Sequence, residues 1–364
     1  MHLVTTNTDL QKALGRLDTT TPLALDTEFM REDTYFPILC LVQVCAGDAL
    51  FCVDALALER RAALANLYNG ADAGVILHSA HQDLELFLQE TGELPAKLFD
   101  TQIAAAMTGF DAQISYAQLV QELLGVQLDK SQTRTDWRRR PLSEAQLAYA
   151  LDDVRYLAEI QPLLAEQLDA RGRSDWHAQE CERMLQTETY TTDPATAWRR
   201  LKGLGQLDSE TRARARLLAA WRETEASERD RPRQWIIRDR LLVELARQRP
   251  TSRSELGNVD GLPESVARRY GEALIALLAE PIDPRLLAEC AMEATEPLTR
   301  EQRVLAKSLR ACLTRCAAEN EISAGLLANR MDIERLVRGA REVSVLQGWR
   351  RKVVGDQFLE LLER

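Results

Sequence analysis

Four carboxylates and one phenol in this 364-residue chain have the types and spacing to do chemistry together. Asp26 and Glu28 flank Thr27 in the apolar run PLALDTEF. If that run is a strand, side chains at i and i+2 point to one face, so both carboxylates project together from an otherwise apolar segment. Adjacent carboxylates repel, and each is costly to bury unpaired. A divalent cation removes both problems; a strand end whose acids reach solvent is the alternative. Asp83, in HSAHQDLELF, falls at the start of a predicted helix, where the N-terminus favours a carboxylate in any case. Tyr149 and Asp153 stand four apart in AYALDDVRYL, which puts them on one helix face and points Asp152 elsewhere. Alone, that pair also reads as the acidic edge of an amphipathic helix. Together, D-x-E on a strand, D on a helix and Y-x-x-x-D on a later helix make an oxygen-rich donor set suited to Mg²⁺ or Mn²⁺. Two such ions about 4 Å apart can activate a water and stabilise the leaving oxygen in phosphoryl transfer.

The elements that must position these groups come in two styles. PLALDTEF, LCLVQVCA, ALFCVDAL and GVILHS are short, apolar and rich in β-branched or aromatic residues, as strands are. Ala46-Gly47-Asp48 makes a tight turn between the second and third. Leu58 to Tyr68 reads as a helix. Ser79, with Gln82 three residues on, forms a capping box for a helix running to about Glu90. After Asp100 the strand signals stop. DTQIAAAMTG, SYAQLVQELLG and one long stretch from Pro141 to about Ala170 are helical, the last opened by a capping box of Ser143 and Gln146. Strands mixed with helices predict an α/β layer with a mixed sheet. The polar TETYTTDP from Thr187 to Pro194 reads as a connection, and everything beyond it as helices. Two prolines in Glu280-Pro281-Ile282-Asp283-Pro284 mark a linker between two helical blocks.

Composition narrows the function classes. With 45% hydrophobic and 28% charged residues, the chain is an ordinary folded, soluble sequence. No apolar run approaches the ~18–20 residues of a membrane helix, and the first residues lack a basic segment followed by an apolar one, so a cytoplasmic protein is expected. The seven cysteines are scattered through apolar stretches without a C-x-x-C pair, so buried free thiols are expected. Neither a phosphate-binding G-x-x-x-x-G-K-[ST] nor a G-x-S-x-G nucleophile elbow occurs. His78 and His81 straddle a strand–helix junction with no third ligand nearby, which is too few for zinc. Net charge is −10, and residues 1–200 hold 17 Lys and Arg against 30 Asp and Glu. That balance argues against a nucleic-acid binder unless the acids gather at a metal site, where a bound cation reverses the local sign. The local run Lys130, Arg134, Arg138, Arg139 and Arg140, around Trp137, is either a solvated face or a phosphate contact. Arg212, Arg214 and Arg216, then Arg229, Arg231, Arg233, Arg238 and Arg240, interleave with Glu223, Glu225 and Glu228. They read either as surface i, i+4 pairs or as an RNA-binding face.

LALDTEF, LHSAHQDLELF and YALDDVRYL resemble the three motifs of the DEDDy 3′–5′ exonucleases. DTQIAAAMTG and LDKSQTRTDWRRRPLSEAQLAYALDDVRYL make the chain similar to the ribonuclease D family. RDRPRQWIIRDRLLVELARQRPTSRSELGNVDGL resembles an HRDC domain, and the last block resembles a second by position and helical pattern. The resemblance implies a ribonuclease H-like α/β exonuclease domain, a mixed sheet flanked by helices, over residues 1–200. Two all-α HRDC domains would follow at 205–282 and 290–364. It implies two divalent metal ions, Mg²⁺ or Mn²⁺. Asp26, Glu28 and Asp153 would hold one, Asp26 would bridge to the second, Asp83 would support that second ion, and Tyr149 would orient the attacking water. Thr27, Phe29, His81, Lys130 and Arg138 are the candidate substrate-binding residues; Phe29 would pack near the terminal base or, equally, against the core. The implied substrate is RNA with a free single-stranded 3′ end, tRNA precursors included, cut by a monomer to 5′-monophosphates away from any membrane. Two rivals follow. A DNA 3′–5′ exonuclease of the same superfamily would differ in contacts to the 2′-OH. A catalytically silent RNA-binding protein would be expected to have lost one of the acids, and none is lost.

Overall fold

The computed structural model describes residues 2–18, 20–129, 132, 135–292 and 298–363. Two compact units form. The first holds Met1–Met30, Leu39–Tyr190 and Leu298–Arg364; the second holds Arg31–Ile38 and Thr191–Pro297.

The first unit is built on a six-stranded sheet: β1 (His2–Val4), β2 (Leu23–Met30), β3 (Ile38–Ala46), β4 (Ala49–Asp54), β5 (Val75–Leu77) and β6 (Leu98–Asp100), in the order β1-β4-β3-β2-β5-β6. β3 and β4 are antiparallel, while β1–β4, β2–β5 and β5–β6 are parallel, so the sheet is mixed as expected. The β3–β4 hairpin closes through Gly47 at φ +55°, a conformation that favours glycine. β3 is buried along almost its whole length, as a central strand covered on both faces must be. One sheet face packs Leu25, Val42, Val53 and Leu77; the other packs Ala24, Cys45 and Ile76. The period of two therefore sorts the strands, and Asp26 and Glu28 fall in line with Ala24. β1 and β6 carry no three-residue signal of their own. They exist through ladders to β4 and β5.

Helices α1 (Asn7–Leu14), α2 (Ala65–Asn69), α3 (His81–Thr91), α4 (Thr101–Met107), α5 (Tyr116–Leu124), α6 (Glu144–Arg155), α7 (Leu157–Ala170) and α8 (Ser174–Met184) complete the N-terminal part. Three expectations need correction. The helix expected from Leu58 to Tyr68 is a 3₁₀ turn, Arg61–Leu64, followed by the short α2. Ser79 does not cap α3; it sits at φ +61°, and the buried Asp100 carboxylate accepts from the N–H groups of Ser79 and Ala80 instead. The same carboxylate caps α4 through Gln102 and Ile103 (2.8 and 3.0 Å). The long helix from Pro141 is two helices. The Tyr116 hydroxyl accepts from the Tyr156 N–H (3.1 Å) and donates to the Asp152 carbonyl (3.1 Å). It thus stands where the i→i−4 bond would close, and an inserted side chain breaks a helix there. The capping box of Ser143 and Gln146 forms as expected and fixes where α6 begins.

The second unit is helical: α9 (Ser209–Glu228), α10 (Arg233–Ile236), α11 (Asp239–Gln248), α12 (Arg253–Gly257), α13 (Glu264–Ala279) and α14 (Pro284–Met292) around Leu218, Leu242, Leu245 and Leu274. Arg212, Arg214 and Arg216 are buried, not the surface pairs or RNA face the sequence offered. Arg212 donates to the carbonyls of Leu204, Leu207 and Cys290, and Arg216 lies 3.7 Å from the Trp198 ring centre. Arg229 and Glu225 do pair at the surface, four residues apart, at 2.6 Å.

The chain returns to the first unit as α15 (Arg300–Glu319), α16 (Ala324–Leu327), α17 (Arg330–Val337), α18 (Gly348–Arg350) and α19 (Asp356–Glu363). Leu309, Cys316 and Leu336 share a core with α4, α5 and α7. Trp176 stacks on Trp349 at 5.0 Å, and Glu180 accepts from the Trp349 indole (2.8 Å) and from Arg350. All seven cysteines are buried and unbridged. Among the described residues no helix is long and apolar enough to cross a membrane.

Candidate metal centre

Strand β2 presents Asp26 and Glu28 on the face that α6 covers, and α6 presents Tyr149 and Asp153 back toward them. One carboxylate oxygen from each of Asp26, Glu28 and Asp153 lies within 4.8 Å of the others. Among the described residues this is the single group of three or more such side chains close enough to share an ion. Asp83 comes from the first turn of α3, where the helix N-terminus favours its charge. The buried Thr27 hydroxyl donates to the Asp83 carboxylate at 2.5 Å. Thr27 is on the other face of β2 from Asp26 and Glu28, and Asp83 lies outside the group of three, but its charge still raises both Asp26 and Glu28.

The electrostatics of this cluster are frustrated. Burial pushes Glu28 up to about 8, and repulsion from Asp153 and Asp83 adds to it. Burial likewise raises Asp153 to about 7, against a hydrogen bond from Tyr149 that lowers it. Asp83 rises to about 7 by burial, held back by Thr27. Asp26 is pushed well above the usual carboxylate range, by burial first and then by Asp83, Asp153 and Glu28. Burial and mutual repulsion thus make each acid favour its protonated form. Cys52, on β4, feels the same charges. Burial, Asp26 and Glu28 together push its thiol up to about 12. Gln43, opposite Cys52 on β3, is fully buried, and neither amide atom has a hydrogen-bond partner among the described residues. Three half-buried carboxylates beside the buried Asp83, mutually repelling, fit a hard divalent cation with oxygen ligands.

The remaining candidates are dispersed. Phe29 is half-buried against the core on the opposite sheet face. His81 is exposed, with its ring 5.1 Å from that of Tyr190. Both ring nitrogens of His78 are hydrogen-bonded, to Thr101 and to the Ile114 carbonyl. Arg138 is half-buried, its Nε 3.7 Å from the Asp136 carboxylate. Lys130 and Arg134 lie outside the described residues. Trp137 is buried, with its ring centre 6.2 Å from that of Tyr149. No motif spacing announces that contact, nor the pairing of Arg140 with Asp54, which lie 86 residues apart.

Comparison with known proteins agrees with this geometry. A family model for 3′–5′ exonucleases matches residues 1–169, and one for the HRDC domain matches residues 211–278. Ribonuclease D of Gluconacetobacter diazotrophicus is 37% identical over 371 residues, 99% of this chain and 92% of that protein. Ribonuclease D of Acidiphilium cryptum is 38% identical over 364 residues, again 99% and 92%. The crystal structure of Escherichia coli RNase D, described as an exoribonuclease involved in structured RNA processing, superposes with a TM-score of 0.85 at 32% identity. It covers 100% of this chain and 98% of that one. On matches of this identity over essentially its full length, the chain belongs to the ribonuclease D family of 3′–5′ exoribonucleases.

Proposed function

We propose that the chain shortens RNA from a free single-stranded 3′ end, one nucleoside 5′-monophosphate at a time, with Asp26, Glu28, Asp83 and Asp153 holding two Mg²⁺ or Mn²⁺ ions. Precursor tRNA and other structured RNAs with 3′ tails are its substrates, and it works as a monomer in the cytoplasm. The observation that carries the reading is the approach of Asp26, Glu28 and Asp153 to within 4.8 Å at half-buried positions. When bound, the ions lower the pKa of a water and neutralise charge developing on the departing 3′ oxygen. The protein's own contribution is placement. β2 and α6 hold three carboxylates in fixed register, so no reorganisation is needed as charge develops. Thr27 fixes the Asp83 carboxylate by its hydrogen bond. The Tyr149 hydroxyl, already bonded to Asp153, orients the water that attacks the last phosphodiester. Release of the 3′ oxygen and inversion at phosphorus complete the hydrolysis. We also propose that the exonuclease domain spans 1–200 and that two HRDC-type modules occupy 205–282 and 290–364. Phe29, His81, Lys130 and Arg138 are proposed to touch the RNA.

The test uses 5′-labelled RNA with a single-stranded 3′ tail, and matched DNA, with Mg²⁺ or Mn²⁺. Stepwise shortening of RNA alone, abolished by EDTA and by Asp26→Ala, is the expected result. Shortening of DNA at the same rate would move the substrate to nucleic acid in general. Retention of RNA without shortening of either polymer would overturn the enzyme reading.

A further inference from the structure

The basic run before α6 offers arginines for phosphate, yet one of them has no hydrogen-bonding capacity left to offer. A guanidinium carries five N–H donors in a fixed fork. Those of Arg140 are all engaged. Nε and Nη2 donate to the two oxygens of Asp54 at 2.6 and 2.7 Å, Nη2 also to the Cys40 carbonyl at 3.0 Å, and Nη1 to the carbonyls of Trp137 (2.6 Å) and Arg139 (3.0 Å). Asp54, at the end of β4, has a side chain only 6% exposed. The pair therefore ties the segment before α6 to the ends of β3 and β4, and the bond to the Trp137 carbonyl fixes the tryptophan itself. Trp137 is 3% exposed, and its ring is inclined 32° to that of Tyr149, in the range where aromatic pairs attract. Tyr149 in turn bonds Asp153.

From this chain of contacts we infer that Asp54 and Arg140 are positioning residues for the Tyr149 phenol, acting through Trp137. The inference rests on the reading of Tyr149 given above. A fork that satisfies two carboxylate oxygens and three carbonyls at once is specific to arginine; a lysine keeps the charge and loses the geometry. Small displacements of a group that must orient a reacting water cost up to about 10²-fold in rate. A phosphate contact would behave differently, because it would set RNA affinity and its salt dependence.

The experiment is a double-mutant cycle. Arg140→Lys and Asp54→Asn are each made alone and in a Tyr149→Phe background. kcat and KM are measured on the tailed RNA, and Mn²⁺ affinity by calorimetry. The expected result is a kcat lowered about 10- to 10²-fold, with KM and Mn²⁺ affinity unchanged, and no further loss once Tyr149 is phenylalanine. Trp137→Phe, which keeps a ring and is less disruptive, is expected to show a smaller loss with the same dependence on Tyr149. If either clamp variant fails to fold, Trp137→Phe alone decides. Equal fold-losses in both backgrounds would overturn the inference while leaving the catalytic reading intact, as would a rise in KM with kcat unchanged. Full kcat in Tyr149→Phe would overturn the reading of Tyr149 and this inference with it.

Discussion

The two units bury charge in opposite ways. In the second unit α9 carries four buried arginines, and each finds partners. Arg212 is answered by backbone carbonyls, Arg214 by Glu210 at 2.8 Å, Arg222 by Asp239 at 2.6 Å, and Arg216 by the Trp198 ring and Glu289. The buried Glu223 is held below its ordinary range, despite its burial, by Arg233 and Tyr35. In the first unit Asp26, Glu28, Asp83 and Asp153 lie close enough to raise one another; the hydroxyls of Thr27 and Tyr149 and the backbone N–H groups of Thr27 and Asp83 lower individual acids, yet all four are raised. A buried charge that is paired speaks of architecture. A cluster of one sign that is desolvated and unanswered speaks of something that arrives later and answers it. The distinction cannot be drawn from residue types, since both regions are unusual in composition, but it is plain in who touches whom.

That comparison is open to breakage. The largest expected effect is catalytic. Asp26→Asn should lower the rate of RNA shortening about 10³-fold or more, while the melting temperature of the metal-free protein holds or rises, because one repelling charge has gone. A fall in metal-free stability would put Asp26 in the architectural class. Arg212→Ala should do the reverse. Uncovering the carbonyls of Leu204, Leu207 and Cys290 in a packed interior should cost about 3 kcal/mol, read as a lower urea midpoint, with Mn²⁺ affinity unchanged. Glu223→Gln is milder, about 2 kcal/mol, because Arg233 keeps part of its solvent contact; an unchanged midpoint would remove Glu223 from the paired class. The last prediction concerns pH. Glu28 moves from 4.5 to about 8, and Asp83 and Asp153 from 3.8 to about 7. The folded chain then keeps protons that the unfolded chain releases. Stability of the metal-free protein should therefore be full below the ordinary carboxylate range and decline as pH rises toward about 8, the Glu28 value. Saturating Mn²⁺ should flatten that decline. A metal-free stability that climbs over the same window would reverse the sign and contradict the frustrated cluster.

Much of the first unit was legible because its signals are local. The alternation in LALDTEF, the Gly47 turn and the Ser143–Gln146 capping box each depend on residues a few positions apart, and each forms. The convergence of β2 and α6 was legible because the D-x-E and Y-x-x-x-D spacings fix faces before the fold is known. What escaped was decided at a distance. Ser79 does not cap α3, because its N–H and that of Ala80 are held by Asp100, which lies 21 residues on. The break between α6 and α7 was made by a hydroxyl on α5. β1 and β6 are too short to announce themselves without a neighbouring strand. Arg140 looked like one more surface cation until Asp54, 86 residues away, claimed it. The arginines of α9 misled for the same reason. Arg214 keeps its i, i+4 partner Glu210, but the carbonyls and ring that receive Arg212 and Arg216 come from other segments.

The proposed activity depends on Asp26, Glu28 and Asp153 as ligands of a divalent cation. Calorimetric titration of the metal-free protein with Mn²⁺ at pH 7, repeated in buffers of different ionisation enthalpy, tests it most directly. Saturable binding with net release of protons is expected, since carboxylates raised to about 7 or 8 must give up protons to become ligands. Both binding and release should be lost in Asp153→Asn. Binding of equal strength in that variant, or binding without proton release in the wild type, would contradict it.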